Sequence, residues 1–293
     1  MSTEMVYRSY AKLNLYLDVL KRRRDGYHNI ETIFQTVDLY DELTFAEEPR
    51  RIAITCSTPD LDTGEGNLVY RAAALLQERF AVQAGARIHL TKRIPIAAGL
   101  AGGSGNAAAA LVALNTLWDL RIAPDSLRAL ALELGSDVPY CTLGGTAAAT
   151  RRGEELFRLP PIAAVWFVLV HPPLAVSAAR TYNHPVLTRN EAPVFAGKTA
   201  HFRRCLRRLA SGDIAPVIFN RMEAPVFHDF PHLERIKTRL LDAGCAAAAM
   251  SGSGSTLFGL CATRREARRA AEAVSEYRSS IVRPVPVGVE RVR

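Results

Sequence analysis

The sequence predicts an α+β chain of two domains with a cleft between them. Three observations carry that reading. Hydrophobic patterns of period two and period 3.6 succeed each other along the whole chain. The composition shifts beyond the apolar run Ala163–His171, and Pro160-Pro161 is the best boundary, dividing the 293 residues into 1–159 and 160–293. Each half also holds one glycine- and serine-bearing loop between regular segments, Pro95–Asn106 in the first and Ser251–Ser255 in the second.

The elements follow in order. Val6–Val19 alternates, with Leu13, Leu15, Leu17 and Val19 on one face and Lys12, Asn14, Tyr16 and Asp18 on the other. That is a half-buried strand. Asp25-Gly26 signals a turn, and Ile30–Phe45 resumes strand patterning. Leu68–Phe80 reads as a helix capped by Asn67, and Arg87–Lys92 as a short strand. The Gly-rich loop comes next, then a helix over Asn106–Trp118. Pro124–Leu134 is a second helix, with Pro at its start and Gly135 at its end. Gly144–Thr150 reads as a strand. Ala163–His171 suits a strand buried on both faces. Ser177–Tyr182, Lys198–Ala210, Pro231–Ala243 and Arg264–Tyr277 read as helices; Ala246–Met250, Thr256–Cys261 and Ser280–Val287 read as strands.

Composition narrows the function. Apolar residues make up 48% and charged residues 23%, which suits a packed, water-exposed domain. No apolar run reaches the roughly 20 residues that span a bilayer. Met1-Ser2-Thr3-Glu4 lacks the basic-then-apolar pattern of a signal peptide. The five cysteines are scattered without a CxxC, so a zinc framework is not expected and reduced thiols in a cytoplasm are. A net charge of +8 favours anionic partners such as nucleotides or phosphorylated metabolites. Arg203, Arg204, Arg207 and Arg208 contribute at helical spacing, which fits a solvated face.

The loop Pro95-Ile96-Ala97-Ala98-Gly99-Leu100-Ala101-Gly102-Gly103-Ser104-Gly105-Asn106 feeds a helix N-terminus. Free N–H groups and the positive end of the helix dipole make such a junction a phosphate site. It is neither a Walker A loop nor the Gly-x-Gly-x-x-Gly of a dinucleotide fold. The same residues also fit an ordinary Gly turn capped by Ser104 or Asn106. A phosphotransferase needs three additions: a cation, a metal ligand, and a group that orients the acceptor. Lys12 on the polar face of the first strand is the candidate cation, beside a solvated-lysine reading. Asp137 in Gly135-Ser136-Asp137-Val138-Pro139 is the candidate orienting group, beside a turn or cap reading. Ser104 fits a Mg²⁺ ligand or a cap. The Ser251–Ser255 loop, with Gly252 and Ser253, fits either a flexible turn or a flap over phosphates. Tyr27, His28 and Tyr182 fit core packing or an aromatic base pocket.

Together these residues resemble the GHMP small-molecule kinases. The resemblance rests on Ala11-Lys12-Leu13-Asn14-Leu15, on the loop Pro95–Asn106, and on Met250-Ser251-Gly252-Ser253-Gly254-Ser255. Arg24-Asp25-Gly26-Tyr27-His28, continuing through Gln35, Asp38-Leu39 and Asp41-Glu42-Leu43, is similar to the branch acting on a cytidyl diphosphate-linked methylerythritol. The match is densest over residues 10–155. It implies a ribosomal-protein-S5-like N-terminal domain and a ferredoxin-like C-terminal domain, with the active site between them. It implies ATP- and Mg²⁺-dependent phosphorylation of a 2-hydroxyl, in the non-mevalonate route to isoprenoid precursors. By resemblance, Lys12 and Asp137 are catalytic, Gly99–Asn106 carry the ATP phosphates, Pro95, Ala97 and Ala98 join them in the nucleotide site, Asn67 and Lys92 lie near adenine, and Gly252 and Ser253 contact the substrate. Tyr27 and Tyr182 sandwich the cytosine, with His28 and Asn14 making polar contacts. Ala97, Ala98 and Ala101 stand where many members have Gly, Ser255 where Pro or Thr is usual, and Ala178 where Thr is common. The implied partner is a small molecule, with no nucleic acid or membrane, in a monomer or homodimer. Another GHMP kinase, a silent ligand-binding member and a basic nucleic-acid-binding protein stay as alternatives.

Overall fold

The computed structural model describes residues 4–59, 61–162 and 164–293. The first half builds β1 (Met5–Arg22), β2 (His28–Glu48), β3 (Ile52–Cys56), α1 (Leu68–Phe80), β4 (Gly85–Thr91), α2 (Gly102–Leu117), α3 (Pro124–Leu134), α4 (Val138–Leu143), β5 (Thr146–Thr150) and β6 (Glu155–Arg158). β1 and β2 form a long antiparallel pair, interrupted by register shifts near Tyr10, Asn14 and Val19. β4 and β5 both pair with β2, and β3 runs parallel to β4. The half-buried reading of β1 is corrected here. Leu13 and Leu15 join a core with Ile94, Phe167 and Phe202. The polar face is covered as well, leaving Lys12 at 4% and Asn14 at 3% exposure. A lysine so enclosed is not a solvated strand residue.

Asn67 caps α1, accepting from Val69 N at 2.8 Å, and Gly135 ends α3 as expected. α2 is an almost wholly buried helix. Ala107–Ala110 are each 0% exposed, and their small side chains let it lie close against β1, α1 and α4.

The second half builds β7 (Trp166–His171), α5 (Ala178–Tyr182), β8 (Val194–Phe195), β9 (Lys198–Thr199), α6 (Ala200–Ala210), β10 (Phe219–Asn220), α7 (Glu223–Asp229), α8 (Pro231–Asp242), β11 (Ala247–Met250), β12 (Leu257–Cys261), α9 (Arg264–Glu272), β13 (Arg278–Val282) and β14 (Val289–Arg291). Its sheet is antiparallel in the order β11-β12-β7-β13. The apolar run through β7 reflects burial on both sides. Phe167 and Leu169 face the first half, whereas Val168 and Val170 pack with Leu233, Ile236, Ala267 and Ala270 of α8 and α9. That strand begins at Trp166, and Ala163, its expected first residue, lies outside the described residues.

Several boundaries move. α6 begins at Ala200 rather than Lys198, because Thr199 closes the short strand β9 and its hydroxyl caps the helix at Phe202 N. α9 stops at Glu272 rather than Tyr277. Val274 and Tyr277 donate three residues back instead of four, tightening the chain into turns. The last predicted strand shifts to Arg278–Val282, since Pro284 and Pro286 have no N–H for a ladder. Pro160-Pro161 separates the two sheets except at β10 and β14, which come from the second half and pair with β1. On α6, Phe202, Cys205 and Leu209 are buried and the arginines face outward, as a solvated face requires. Among the described residues no helix is long and apolar enough to cross a membrane.

Candidate functional site

The glycine-rich loop Pro95–Asn106 is shaped by its backbone. Ala97, Gly99 and Ala101 take left-handed φ values of 52°, 77° and 55°, alternating with residues of ordinary φ. Such alternation turns successive N–H groups toward one concavity. α2 starts at Gly102, four residues before its expected start. Its N-cap is Ala101, which offers no side chain to the orphan donors. The first helical bond is Gly105 N to Ala101 O at 2.8 Å, so the N–H groups of Gly102, Gly103 and Ser104 have no helical partner. The two residues expected as alternative caps do not cap. Ser104 lies in the first turn and its hydroxyl has no partner among the described residues. Asn106 accepts the Ser9 hydroxyl at 2.6 Å.

One cleft of about 1030 Å³ gathers Pro95, Ala97, Ala98, Gly99, Ala101, Gly102, Gly103, Ser104 and Asn106. That lies at the upper end of the range for small-molecule sites. Leu100 and Gly105 do not line it, contrary to their expected place. Leu100 turns into the core and gives its carbonyl to Lys12 N at 3.1 Å; Gly105 faces the Tyr10 carbonyl.

The second loop locks onto the first. Ser251 Oγ donates to Gly99 O at 3.0 Å, and Thr256 N donates to Ala98 O at 3.2 Å. A Cβ on Gly99 would sit 2.1 Å from Ser251 O, so only glycine allows this approach. Gly252 and Ser253 line the cleft as expected, and a Cβ on Gly252 would lie 3.2 Å from Lys12 Nζ. Two residues that sequence reasoning missed hold this loop. Asn220 Nδ2 donates to Met250 O at 2.7 Å and Gly252 O at 2.8 Å. Glu223 accepts Met250 N at 2.8 Å while Lys237 holds its other oxygen. Burial raises the Glu223 carboxyl and Lys237 opposes that rise. No local pattern marks either residue, because each acts on backbone some thirty residues away.

Lys12, Asn14 and Asp137 meet where the loops converge. Lys12 Nζ donates to Asn14 Oδ1 at 2.5 Å and stands 3.9 Å from Asp137 Oδ2. Asn14 is itself fixed, donating to Thr32 Oγ1 at 2.9 Å. Asp137 occupies the cap position of α4 but makes no capping bond. Its carboxylate is 38% exposed and lines the cleft, so the cap reading fails on geometry.

Asn67 and Lys92 line the cleft with structural engagements already made. Asn67 caps α1 and donates to Asp62 O at 2.5 Å. Lys92 pairs with Asp41, which is fully buried and also accepts the N–H groups of Arg93 and Ile94 at 2.7 and 2.9 Å. Lys92 retains two free donors.

Tyr27, His28 and Tyr182 all line the cleft. His28 stacks on Tyr182 with ring centroids 5.4 Å apart and planes 12° apart. Tyr27 follows the Asp25-Gly26 turn, is 56% exposed, and lies under the Arg152 guanidinium at 4.9 Å. Arg152, also unforeseen, lines the same cleft. Burial lowers the His28 pKa, with Arg189 and Arg22 adding to it. Burial pushes the Tyr182 phenol up, and the charge of Asp137 adds to that. Both rings therefore stay neutral near pH 7.

Among the described residues, the one group of three close metal-ligand types is His184, His228 and Asp229. None of them lines the cleft, and Arg180 already pairs with Asp229. A divalent ion in the cleft would rest on Ser104, on phosphate oxygens and on water, as Mg²⁺ commonly does.

Comparison with known proteins identifies relatives of this chain. Residues 67–145 match the family described as GHMP kinases N terminal domain, and residues 199–279 match GHMP kinases C terminal. A 4-diphosphocytidyl-2-C-methyl-D-erythritol kinase of Moorella thermoacetica is 43% identical over 275 residues, covering 94% of this chain and 96% of that protein. One of Pelotomaculum thermopropionicum is 45% identical over 265 residues, covering 89% and 90%. A crystal structure of 4-(cytidine 5'-diphospho)-2C-methyl-D-erythritol kinase superposes with a TM-score of 0.78 at 38% identity, over 96% of this chain and 99% of that one. A homoserine kinase of Cytophaga hutchinsonii has the same TM-score at 20% identity, over 99% and 97%, which speaks for the fold alone.

Proposed function

The chain belongs to the GHMP kinases, and from that premise we propose that its cleft phosphorylates 4-diphosphocytidyl-2-C-methyl-D-erythritol from ATP, on the tertiary 2-hydroxyl, in the supply of isoprenoid precursors. One observation carries the proposal. An uncapping Asp137 stands 3.9 Å from a buried Lys12, at the junction of two glycine loops.

The backbone donors at the start of α2 hold the ATP phosphates, and Gly252 and Ser253 close over them. Lys12, held by Asn14, carries positive charge to the γ-phosphoryl group and to the acceptor oxygen as charge develops there. Asp137 orients the tertiary hydroxyl and accepts its proton. The bond from the γ-phosphorus to its bridging oxygen breaks, the acceptor oxygen bonds to phosphorus, and ADP leaves. Positioning and electrostatics do most of such work. Mg²⁺, when bound, neutralises charge on the phosphate oxygens; the unpartnered Ser104 hydroxyl beside the uncapped helix start fits a role in holding it. Tyr27, His28, Tyr182 and Asn14 hold the cytidyl end. Residues 1–159 supply the nucleotide side, and 160–293 supply Tyr182 and the second loop. Five free cysteines fit a reducing, cytoplasmic setting.

The test is the site of phosphorylation. Phosphorus NMR of the product is expected to show one new phosphomonoester on the tertiary carbon's oxygen, formed in step with ADP. A phosphate on any secondary or primary hydroxyl would overturn the assigned acceptor.

A further inference from the structure

Arg189 belongs to no motif of the sequence, yet its Nε donates to His28 Nε2 at 3.0 Å, across 161 residues. A guanidinium has donors and no acceptor, so Nε2 must be the acceptor. The proton of the neutral ring is thereby placed on Nδ1. His28 is 5% exposed, is stacked on Tyr182 and lines the cleft. Among the described residues no protein group bonds its Nδ1. The ring therefore offers the cleft a donor. Burial, then Arg189 and Arg22, also keep it from gaining a second proton.

A purely structural strap is a weaker account of Arg189. Its neighbour Asn190 already ties the same segment to β1, through Asn190 N to Val19 O at 2.8 Å and Asn190 Nδ2 to Asp18 Oδ2 at 2.7 Å. Asn190 thus holds the segment by two bonds that do not involve the Arg189 side chain.

We infer that Arg189 is a positioning residue that determines base specificity, by fixing His28 as the Nδ1–H tautomer so that the pocket selects a base edge presenting an acceptor. This rests on the reading of the second substrate as a cytidine diphosphate derivative. Cytosine presents an unprotonated ring nitrogen at N3; uracil presents N–H there. Uracil set against Nδ1–H would leave two donors facing each other.

The experiment uses the full chain with nitrogen-15 histidine, as wild type, Arg189→Met, Arg189→Lys and Arg189→Glu. Long-range proton–nitrogen correlation reads the tautomer, with His28→Gln assigning the signal. Parallel kinetics give the ratio of kcat/KM for the cytidyl substrate over its uridyl analogue, and KM for ATP. Wild type is expected to show Nδ1–H. Arg189→Met should lose that fixation, and its ratio should fall about 10-fold or more. Arg189→Lys, which still donates, should restore the ratio. Arg189→Glu, which accepts, should move the proton to Nε2 and lower the ratio below that of Arg189→Met. KM for ATP should stay within about twofold throughout, since the phosphate loop is untouched. Nε2–H in wild type, or a parental ratio in Arg189→Met, would overturn the inference. Failure of wild type to use either pyrimidine substrate would instead overturn the substrate reading, while the spectrum still reports the tautomer.

Discussion

The two ends of the cleft are built from different material. The end proposed to hold the phosphates is backbone: twelve consecutive residues, three left-handed φ values and a helix start without a side-chain cap. The end proposed to hold the base is side chain: His28 from β2, Tyr182 from α5, Arg152 from the turn after β5, and Arg189, bonded to His28, from the segment before β8. Backbone geometry is set by local φ and ψ, so it is encoded in one stretch. Side-chain pockets are assembled by the fold, and their parts are far apart in the chain. A damaged loop should therefore harm ATP binding and stability together. A damaged base pocket should harm one KM alone. Lys12 and Asp137, where the ends meet, should affect turnover and neither KM much.

The largest effect is expected at that meeting point. Asp137→Ala should lower kcat by about 10²-fold or more with modest change in ATP affinity, as loss of a general base does. Lys12→Ala should fall by a similar factor, and the double variant by less than the product, because the two act on one transition state. Near-parental turnover of Asp137→Ala would remove it from the reaction. Next comes Gly99→Ala. Its Cβ would meet Ser251 O at 2.1 Å in a left-handed residue, so a loss of roughly 2 kcal/mol or more in unfolding free energy, with weaker ATP binding, is expected. Unchanged melting and ATP titration would show the loops are not locked as described.

Asn220→Ala strips the donor from Met250 O and Gly252 O. A destabilisation of about 1–3 kcal/mol is expected, with kcat falling more than either KM rises. Equal kcat at full folding would separate the second loop from the chemistry. Tyr182→Ala should raise KM for the cytidyl substrate about 10-fold, the scale of one lost base stack, with ATP kinetics unmoved. A matching rise in the KM for ATP would blur the distinction between the ends. The smallest effect belongs to Ala101→Gly. Relief of a left-handed alanine is worth about 1–2 kcal/mol, offset by about 0.4–1 kcal/mol of unfolded-state entropy. A slight rise in Tm is the expected result, and a fall would mean the methyl packs favourably.

The same contrast explains what the sequence revealed. The phosphate loop was legible because glycine spacing, a preceding strand and a following helix are all local. The sequence pattern puts its helix start four residues late, at Asn106, since glycines read as loop; here they are the first turn, where close approach matters more than propensity. Lys12 and Asp137 each fitted an ordinary role alone, and only the fold puts the lysine in a buried site beside an uncapping carboxylate. The sequence puts Tyr182 in the pocket with Tyr27 and His28, but its stacking on His28 depends on how α5 packs. Arg152, Arg189, Asn220 and Glu223 left no local signal. β10 and β14 complete the first sheet from the second half, a pairing that no periodicity encodes.

The most direct measurement is ADP release by the purified chain with MgATP and four acceptors: 4-diphosphocytidyl-2-C-methyl-D-erythritol, mevalonate, homoserine and galactose. A cleft with a backbone phosphate end and a pyrimidine-reading end should turn over the cytidyl compound alone. Turnover of another acceptor in its place, or of none beside measurable ATP binding, would contradict the account.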